Sequence, residues 1–178
     1  VFLGLDVAAT SFYNGHSYAI RDKSQALSRS QLLEFYLGIN DKFHLFGLED
    51  PFAEDDIDGW KQITAAMSRQ TIIIGDDLLT TNKQRTKDAI DKSLCTGILV
   101  KPNQIGTISE TVEVIKMAIA ANWHIVVSHR SGETNDDFIA DFAVGVNANH
   151  VKFGAPARGE RVAKYNRLLA IEEELMRT

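Results

Sequence analysis

Residues 71–77 read TIIIGDD, in which three consecutive isoleucines lead to a glycine and two aspartates. A parallel strand that is buried on both faces reads as a continuous apolar run, because helices cover one face and the sheet interior covers the other. The same form, an apolar run that stops at a side chain able to do chemistry, recurs in residues 1–6, 44–50, 97–101, 125–129 and 150–152. We therefore predict six buried parallel strands.

The spacing of these runs indicates the architecture. Their endpoints lie between 23 and 43 residues apart, and they are Asp6, Glu49, Asp76, Lys101, His129 and Lys152. A closed β/α barrel of eight units in about 250 residues uses about 25–30 residues for each unit. We therefore predict an α/β fold with a single domain over residues 1–178, a partial TIM-type β/α barrel with six of its eight strands.

Helical patterns with capping residues lie between the predicted strands. The expected helix starts are Ser28 with Gln31, Asp56 or Asp58, Asn82, Thr107 with Glu110, and Thr134 or Asn135. A last helix is predicted over residues 158–177. The long connection over residues 8–26 contains Gly15 and several small polar residues, which suit either a mobile lid or a surface excursion.

Composition restricts the class of protein. The 19 basic and 24 acidic residues give a net charge of −5, which provides no general attraction for nucleic acid or an anionic membrane. No apolar run approaches the ~18 residues of a membrane span. The single Cys95 is expected to be a buried structural thiol, and a reducing, cytoplasmic location fits. Because a closed barrel needs eight strands and the chain begins with a strand at Val1, we expect a fragment.

Three of the predicted strand ends carry carboxylates, at Asp6, Glu49 and Asp76. In a β/α barrel the active site is built at the carboxyl ends of several strands, so we expect these groups to converge. Oxygen ligands without paired cysteine or histidine favour Mg²⁺. Each acid alone could be a solvated strand end or a helix cap, whereas the three together predict a magnesium site.

Two later strands end in lysines, Lys101 and Lys152. A lysine whose ammonium form is disfavoured by burial and by neighbouring cations can accept a proton, which suits one of the two as a general base. The alternative for each is an ordinary ion pair with the carboxylates.

The fifth run leads into residues 128–134, SHRSGET, between a predicted strand and a predicted helix. Arg130 can bind a phosphate through two hydrogen bonds, and Ser131 can add a hydroxyl donor. His129 alone could be a core histidine, but its neighbours favour a place in the site. A phosphorylated, anionic substrate is the prediction.

Long motifs covering essentially the whole chain closely resemble the carboxyl-terminal barrel domain of the enolase (phosphopyruvate hydratase) family. They are LDVAATSFY at 5–13, LEDPFAEDD at 48–56, GDDLLTTN at 75–82, VKPNQIG at 100–106, SHRSGETNDDFIADFAVG at 128–145 and KFGAPARGERVAKYNRLLAIEEEL at 152–175. The resemblance implies a glycolytic lyase that reversibly dehydrates 2-phosphoglycerate to phosphoenolpyruvate with Mg²⁺.

The resemblance also implies residue roles. The magnesium ligands would be Asp6, Glu49 and Asp76. Lys101 would be the base that removes the C2 proton of 2-phosphoglycerate, and Lys152 would contact the substrate carboxylate. The implied substrate-binding residues are Glu49, Asp76, Lys101, Ser128, His129, Arg130, Ser131 and Lys152, with Arg130 and Ser131 on the phosphate.

In members of this family, a smaller amino-terminal domain and two barrel strands precede the part that this chain resembles. They supply the glutamate that helps to expel the C3 hydroxyl, and the complete proteins form homo-oligomers, usually dimers. Family members also occur at the cell surface. Two alternatives remain at this point: the isolated chain is a non-catalytic binding or structural piece, or the chain belongs to a related dehydratase that acts on a sugar acid.

Overall fold

A computed structural model describes residues 1–177, and its centre is a single sheet of six parallel strands in chain order. The strands are β1 (Gly4–Asp6), β2 (Gly47–Glu49), β3 (Ile72–Gly75), β4 (Gly97–Val100), β5 (His124–Ser128) and β6 (His150–Lys152). Asp6, Glu49 and Lys152 are the last residues of their strands. Asp76, Lys101 and His129 come directly after theirs. The six predicted strands are confirmed, and so are their polar ends.

Helices connect the strands. They are a 3₁₀ helix at Ala9–Phe12 and α1 (Arg29–Phe43), α2 (Ile57–Met67), α3 (Lys83–Asp91), α4 (Pro102–Ile105), α5 (Ile108–Ala120), α6 (Phe138–Gly145) and α7 (Gly159–Met176). The predicted caps at Ser28, Asp56, Asn82 and Thr107 each accept a backbone N–H of the first helical turn. These caps satisfy amide donors that have no partner within the helix, so the local sequence fixes where each helix begins.

One predicted helix start is wrong. The expected cap is Thr134 or Asn135, but α6 begins at Phe138, after Asp137. The carbonyl oxygens of Thr134 and Asp136 both accept hydrogen bonds from the ammonium group of Lys164, at 2.8 Å each. The Thr134 hydroxyl accepts the N–H of Asp136 at 3.3 Å, so it caps a turn of the loop before α6 and not the helix itself.

The core lies between the sheet and the surrounding helices. All four residues of β4 are buried, as a strand covered on both faces requires. Trp60 and Ile63 of α2 are fully buried in this core, and Cys95 is 2% exposed. Within residues 1–177, no helix combines the length and the apolar character needed to cross a bilayer.

The connection between β1 and α1 is held at its middle. Tyr18 is fully buried there, and its hydroxyl donates to the Asp56 carboxylate at 2.7 Å while accepting the N–H of Ala53 at 3.2 Å. Arg29 pairs with the other oxygen of Asp56 at 2.7 Å. These contacts anchor the long connection against the start of α2.

The sheet curls strongly. Although β6 and β1 are its opposite edges, Lys152 Nζ lies 2.8 Å from Asp6 Oδ2 and 2.8 Å from both carboxylate oxygens of Glu49. At the amino ends of the strands, the rings of Phe46 and His150 are 5.1 Å apart between centroids. The six strands therefore form a partial barrel, as predicted.

We expect replacement of Lys152 by methionine to destabilise the fold, because Glu49 is 6% exposed and would lose the cation that neutralises its carboxylate. The expected loss in the free energy of unfolding is about 1–3 kcal/mol or more at pH 8. Burial raises the pKa of Glu49, so protonation at lower pH relieves the unpaired charge and the loss should shrink near pH 5.

Urea unfolding at the two pH values measures this difference. Lys87→Met is the matched control, since Lys87 forms an exposed ion pair with Asp91 and should change stability by less than about 1 kcal/mol. Equal effects of the two substitutions would show that Lys152 has no special role in closing the sheet.

We also expect Cys95 to be inert in the folded protein, because burial raises the pKa of its thiol and removes it from solvent. It is the only cysteine in the sequence, so a thiol reagent gives an unambiguous signal. Reaction should follow unfolding in urea. Fast reaction in the absence of denaturant would contradict the placement of Cys95 in the core.

Candidate active site

The carboxyl edge of the curled sheet carries a cluster of acids and lysines. Asp6 and Glu49 are register partners on β1 and β2, and both contact Lys152 Nζ. Lys101 Nζ forms an ion pair with Asp76 Oδ2. Two ammonium groups from later strands thus lie among three carboxylates from earlier strands, which is the convergence that a barrel predicts.

Burial determines the electrostatics of this cluster. It raises the pKa of Glu49; Lys152 opposes this change, whereas repulsion from Asp6 and Asp76 adds to it. Burial alone would lower the pKa of Lys152, but its hydrogen bonds to Asp6 and Glu49 outweigh that effect and raise it. Lys152 is therefore held as an ammonium ion, and the acids depend on nearby positive charge.

Asp50 is a site residue that the sequence reasoning missed. It is 2% exposed, and its two carboxylate oxygens accept the backbone N–H groups of Asp76 at 2.9 Å and Asp77 at 2.8 Å. Burial raises the pKa of Asp50 to about 7, and the two hydrogen bonds partly oppose this. Asp50 thereby fixes the backbone that presents Asp76 to the cluster.

One group of three acids in the described part of the chain is close enough to share a metal ion. Among residues 1–177, the ligand atoms of Asp50, Asp76 and Asp77 lie within 4.8 Å of one another. Both oxygens of Asp50 are already committed to backbone N–H groups, which favours an orienting role. The predicted set of Asp6, Glu49 and Asp76 does not form such a group among the described residues. Its carboxylates pair with Lys152 and Lys101, and their oxygens are of the type that Mg²⁺ prefers.

Lys101 is positioned by a strained loop before α3. Thr80 and Thr81 have φ values of 47° and 53°, in a left-handed region that β-branched residues rarely adopt. The Thr81 hydroxyl accepts the N–H of Lys101 at 3.0 Å and donates to the side chain of Gln104 at 2.8 Å. Gln104 also donates to Asp76 at 3.4 Å. The strained backbone at Thr80 and Thr81 therefore carries the hydroxyl that fixes the backbone of Lys101, the candidate base.

The loop after β5 forms one wall of a separate cavity of about 520 Å³. Ser128, His129 and Arg130 line it, whereas the acids and the two lysines of the cluster do not. The N–H of His129 donates to the carbonyl of Lys152 at 3.1 Å and connects the cavity to the cluster. Ser131 is exposed beside it. The structure thus places the predicted residues in two connected groups.

The cavity has a mixed lining, in which Arg130 lies among the acids Glu133 and Asp136 and several apolar side chains. Arg130 donates through its side chain to Asn103 at 3.1 Å and through its backbone to Glu133 at 2.8 Å. Burial lowers the pKa of His129, while the charge of Glu133 opposes that change. His129 therefore favours the neutral imidazole, and Arg130 supplies the positive charge that an anionic ligand needs.

Gly154 makes room for another cation that the sequence reasoning missed. Its φ of 78° favours glycine, and the side chain of Arg161 packs into the space that a Cβ would occupy, with its Cδ 2.7 Å from that position. The charge of Arg161 contributes to the lowered pKa of His129. The segment after β6 thus brings a guanidinium close to the cavity, although its motif gave no local sign of this contact.

Comparison with known proteins places this geometry in a family. A family model described as "Enolase, C-terminal TIM barrel domain" matches residues 1–178. The chain is 46% identical over 176 residues to the enolase of a Nitratiruptor species, covering 99% of this chain and 42% of that protein. It is 50% identical over 175 residues to the enolase of Aeropyrum pernix, covering 98% of this chain and 40% of that protein.

A plant protein shows the same likeness. The enolase of Solanum lycopersicum is 46% identical over 182 aligned residues, with 98% of this chain and 41% of that protein covered. The chain spans about two fifths of the length of the curated relatives it matches. The match over all 178 residues and the curled parallel sheet agree, and the chain belongs to the enolase family through its carboxyl-terminal barrel domain.

Proposed function

We propose that this chain is the barrel part of a phosphopyruvate hydratase, a lyase that reversibly dehydrates 2-phosphoglycerate to phosphoenolpyruvate. The observation that supports this most is the cluster in which Lys101 and Lys152 contact carboxylates at the ends of three neighbouring strands. A substrate of this kind carries a carboxylate and a phosphate, and the cluster and the Arg130 cavity provide charges suited to both.

The proposed roles are those that the resemblance to the enolase family implies, and the contacts among the side chains support them. Asp6, Glu49 and Asp76 would hold Mg²⁺, which when bound stabilises the extra negative charge that develops on the substrate carboxylate. Lys101 would take the C2 proton at Nζ, with its backbone fixed by the Thr81 hydroxyl. Its contact with Asp76 holds Nζ at the cluster before substrate enters.

The remaining side chains would bind and orient substrate. Lys152, held as an ammonium ion, would contact the substrate carboxylate, since its charge is already directed into the cluster. Arg130 and Ser131 would bind the phosphate, and His129 and Ser128 would line the pocket beside it. These interactions would place C2 next to Lys101 and exclude water from the reacting carbon.

The complete reaction needs more than these residues. Because the chain spans about two fifths of its relatives, we propose that the acid that expels the C3 hydroxyl comes from the remaining part. Together the two parts would form a glycolytic, cytoplasmic enzyme that assembles as a homo-oligomer. The chain by itself would then bind ligands with little or no turnover.

We expect no appreciable phosphoenolpyruvate formation by the 178-residue chain alone and clear turnover by a fusion with the remaining part of the Nitratiruptor enolase. Lys101→Ala in the fusion should lower kcat by at least about 10²-fold, because a general base is lost. Ultraviolet absorbance of the product measures the rate. The control is Lys116→Ala, at an exposed position on α5, which should leave the rate unchanged.

Two outcomes would contradict this proposal. Turnover by the chain alone that disappears in Lys101→Ala would show that the acid does not come from the remaining part. A folded fusion that dehydrates only a sugar acid would assign the chain to a different reaction.

We also expect Mg²⁺ to stabilise the chain against heat. A ligand that binds only the folded state at 100 times its Kd contributes about 2.7 kcal/mol, which corresponds to a Tm increase of about 5–10 °C. Asp76→Asn should remove most of this increase, because it removes one carboxylate of the proposed set. Asp41→Asn, at an exposed position of α1, should retain it. Equal Tm increases in both variants would contradict the proposed ligand set.

A further inference from the structure

Lys164, on α7, is the most unusual charged residue among those described outside the acid and lysine cluster. It is fully buried, yet its ammonium group has acceptors around it: Glu133 Oε2 at 2.7 Å and the carbonyl oxygens of Thr134, Asp136 and Glu160 at 2.8 Å. An ammonium group has three N–H donors, so these acceptors satisfy it completely. The buried charge is therefore fully compensated by hydrogen bonds.

The acceptors of Lys164 share a location. Only the carbonyl of Glu160 belongs to α7 itself, whereas Glu133, Thr134 and Asp136 all belong to the connection between β5 and α6. That connection, residues 129–137, contains no helix or strand. Lys164 thus uses most of its hydrogen-bonding capacity to hold an irregular loop against α7.

Glu133 passes this restraint to the cavity. One of its carboxylate oxygens pairs with Lys164 at 2.7 Å, and the other accepts the backbone N–H of Arg130 at 2.8 Å. Burial alone would raise the pKa of Glu133, but its bonds to Lys164 and Arg130 outweigh that effect and lower it. Glu133 is therefore a carboxylate that connects the buried lysine directly to the backbone of the cavity arginine.

Fold stability alone is a poor explanation for a buried lysine. Desolvating an ammonium ion is costly, and replacement of a buried ion pair by apolar side chains of similar volume is often neutral or stabilising. A buried charge that fixes one loop geometry has a role that an apolar side chain cannot fill. The contacts of Lys164 match such a role, because they converge on the loop that carries Arg130 and Ser131.

We propose that Lys164 is a positioning residue for phosphate binding: through Glu133 it fixes the backbone of Arg130 and sets the orientation of the loop towards the ligand. This inference rests on the proposed phosphate-binding role of Arg130 and Ser131. Lys164 itself touches no substrate in this scheme. Its contribution is to hold the loop before the ligand arrives, which lowers the entropy cost of binding.

The test compares Lys164→Met with Arg167→Met in the full 178-residue chain. Methionine retains the apolar stem of lysine but removes the charge. Arg167 is the matched control, since it lies on the same helix and pairs with Asp141 of α6 at 2.6 Å and not with the loop. Inorganic phosphate is the probe, with its Kd measured by calorimetry and the amide hydrogen exchange of Arg130 by NMR.

Lys164→Met should raise the phosphate Kd about tenfold and speed exchange of the Arg130 amide, whereas Arg167→Met should leave both near wild type even if it lowers Tm. Glu133→Gln should change the phosphate Kd and the Arg130 exchange in the same direction as Lys164→Met, and the effects of the two substitutions should be less than additive, because one ion pair joins the two side chains. Should Lys164→Met fail to fold, Glu133→Gln carries the same comparison.

Equal phosphate Kd values in Lys164→Met and Arg167→Met would overturn the inference, and so would the absence of phosphate binding by the wild-type chain. In the fusion, Lys164→Met should raise KM for 2-phosphoglycerate more than it lowers kcat; an effect on kcat alone would also overturn it. A third outcome separates the two proposals. If Lys164→Met weakens phosphate binding and Arg167→Met does not, but the fusion shows no turnover, the inference is supported and the proposed function is contradicted.

Discussion

The ammonium group of Lys152, placed between the carboxylates of Asp6 and Glu49, is the constraint on which the shape of the molecule depends. It joins the two edges of the sheet that are farthest apart in strand order. Without a cation at this point, the acids would repel one another at the same edge, and the buried carboxylate of Glu49 would have no counter-charge. The contact that joins the two outer strands at this edge is therefore also part of the charge balance of the site.

The strands and their polar ends could be predicted because the information is local. Runs such as residues 71–77 are apolar up to their polar ends, as a strand buried on both faces requires, and the residue after each run must lie at the carboxyl edge. Capping at Ser28 and Asn82 was equally predictable, since the acceptor and the donors lie within three residues. The candidate site residues were found by the same rule, and their roles remain proposals.

The features that the sequence could not predict depend on distant contacts. Thr134 has the local chemistry of a helix cap, but its hydroxyl accepts the N–H of Asp136 in the loop, and Lys164, thirty residues later, binds its carbonyl oxygen. Lys164 itself lies in a helix with many charged residues, where a lysine is normally solvated, and nothing nearby in the sequence marks it as buried. Asp50 could have been suspected only from its place beside Glu49, because its hydrogen-bond donors come from the next strand end.

Asp50 meets two separate demands, and this narrows the range of amino acids that its position can accept. Its φ of 44° lies in the left-handed region, which glycine, asparagine and aspartate adopt at less cost than other residues. Glycine offers no acceptor for the N–H groups of Asp76 and Asp77, and asparagine offers one carbonyl oxygen and one NH₂ group that cannot accept. Among these three residues, only aspartate both adopts the positive φ and accepts the N–H groups of Asp76 and Asp77. Selection for an ordered site should therefore keep aspartate at this position and leave little freedom for neutral drift.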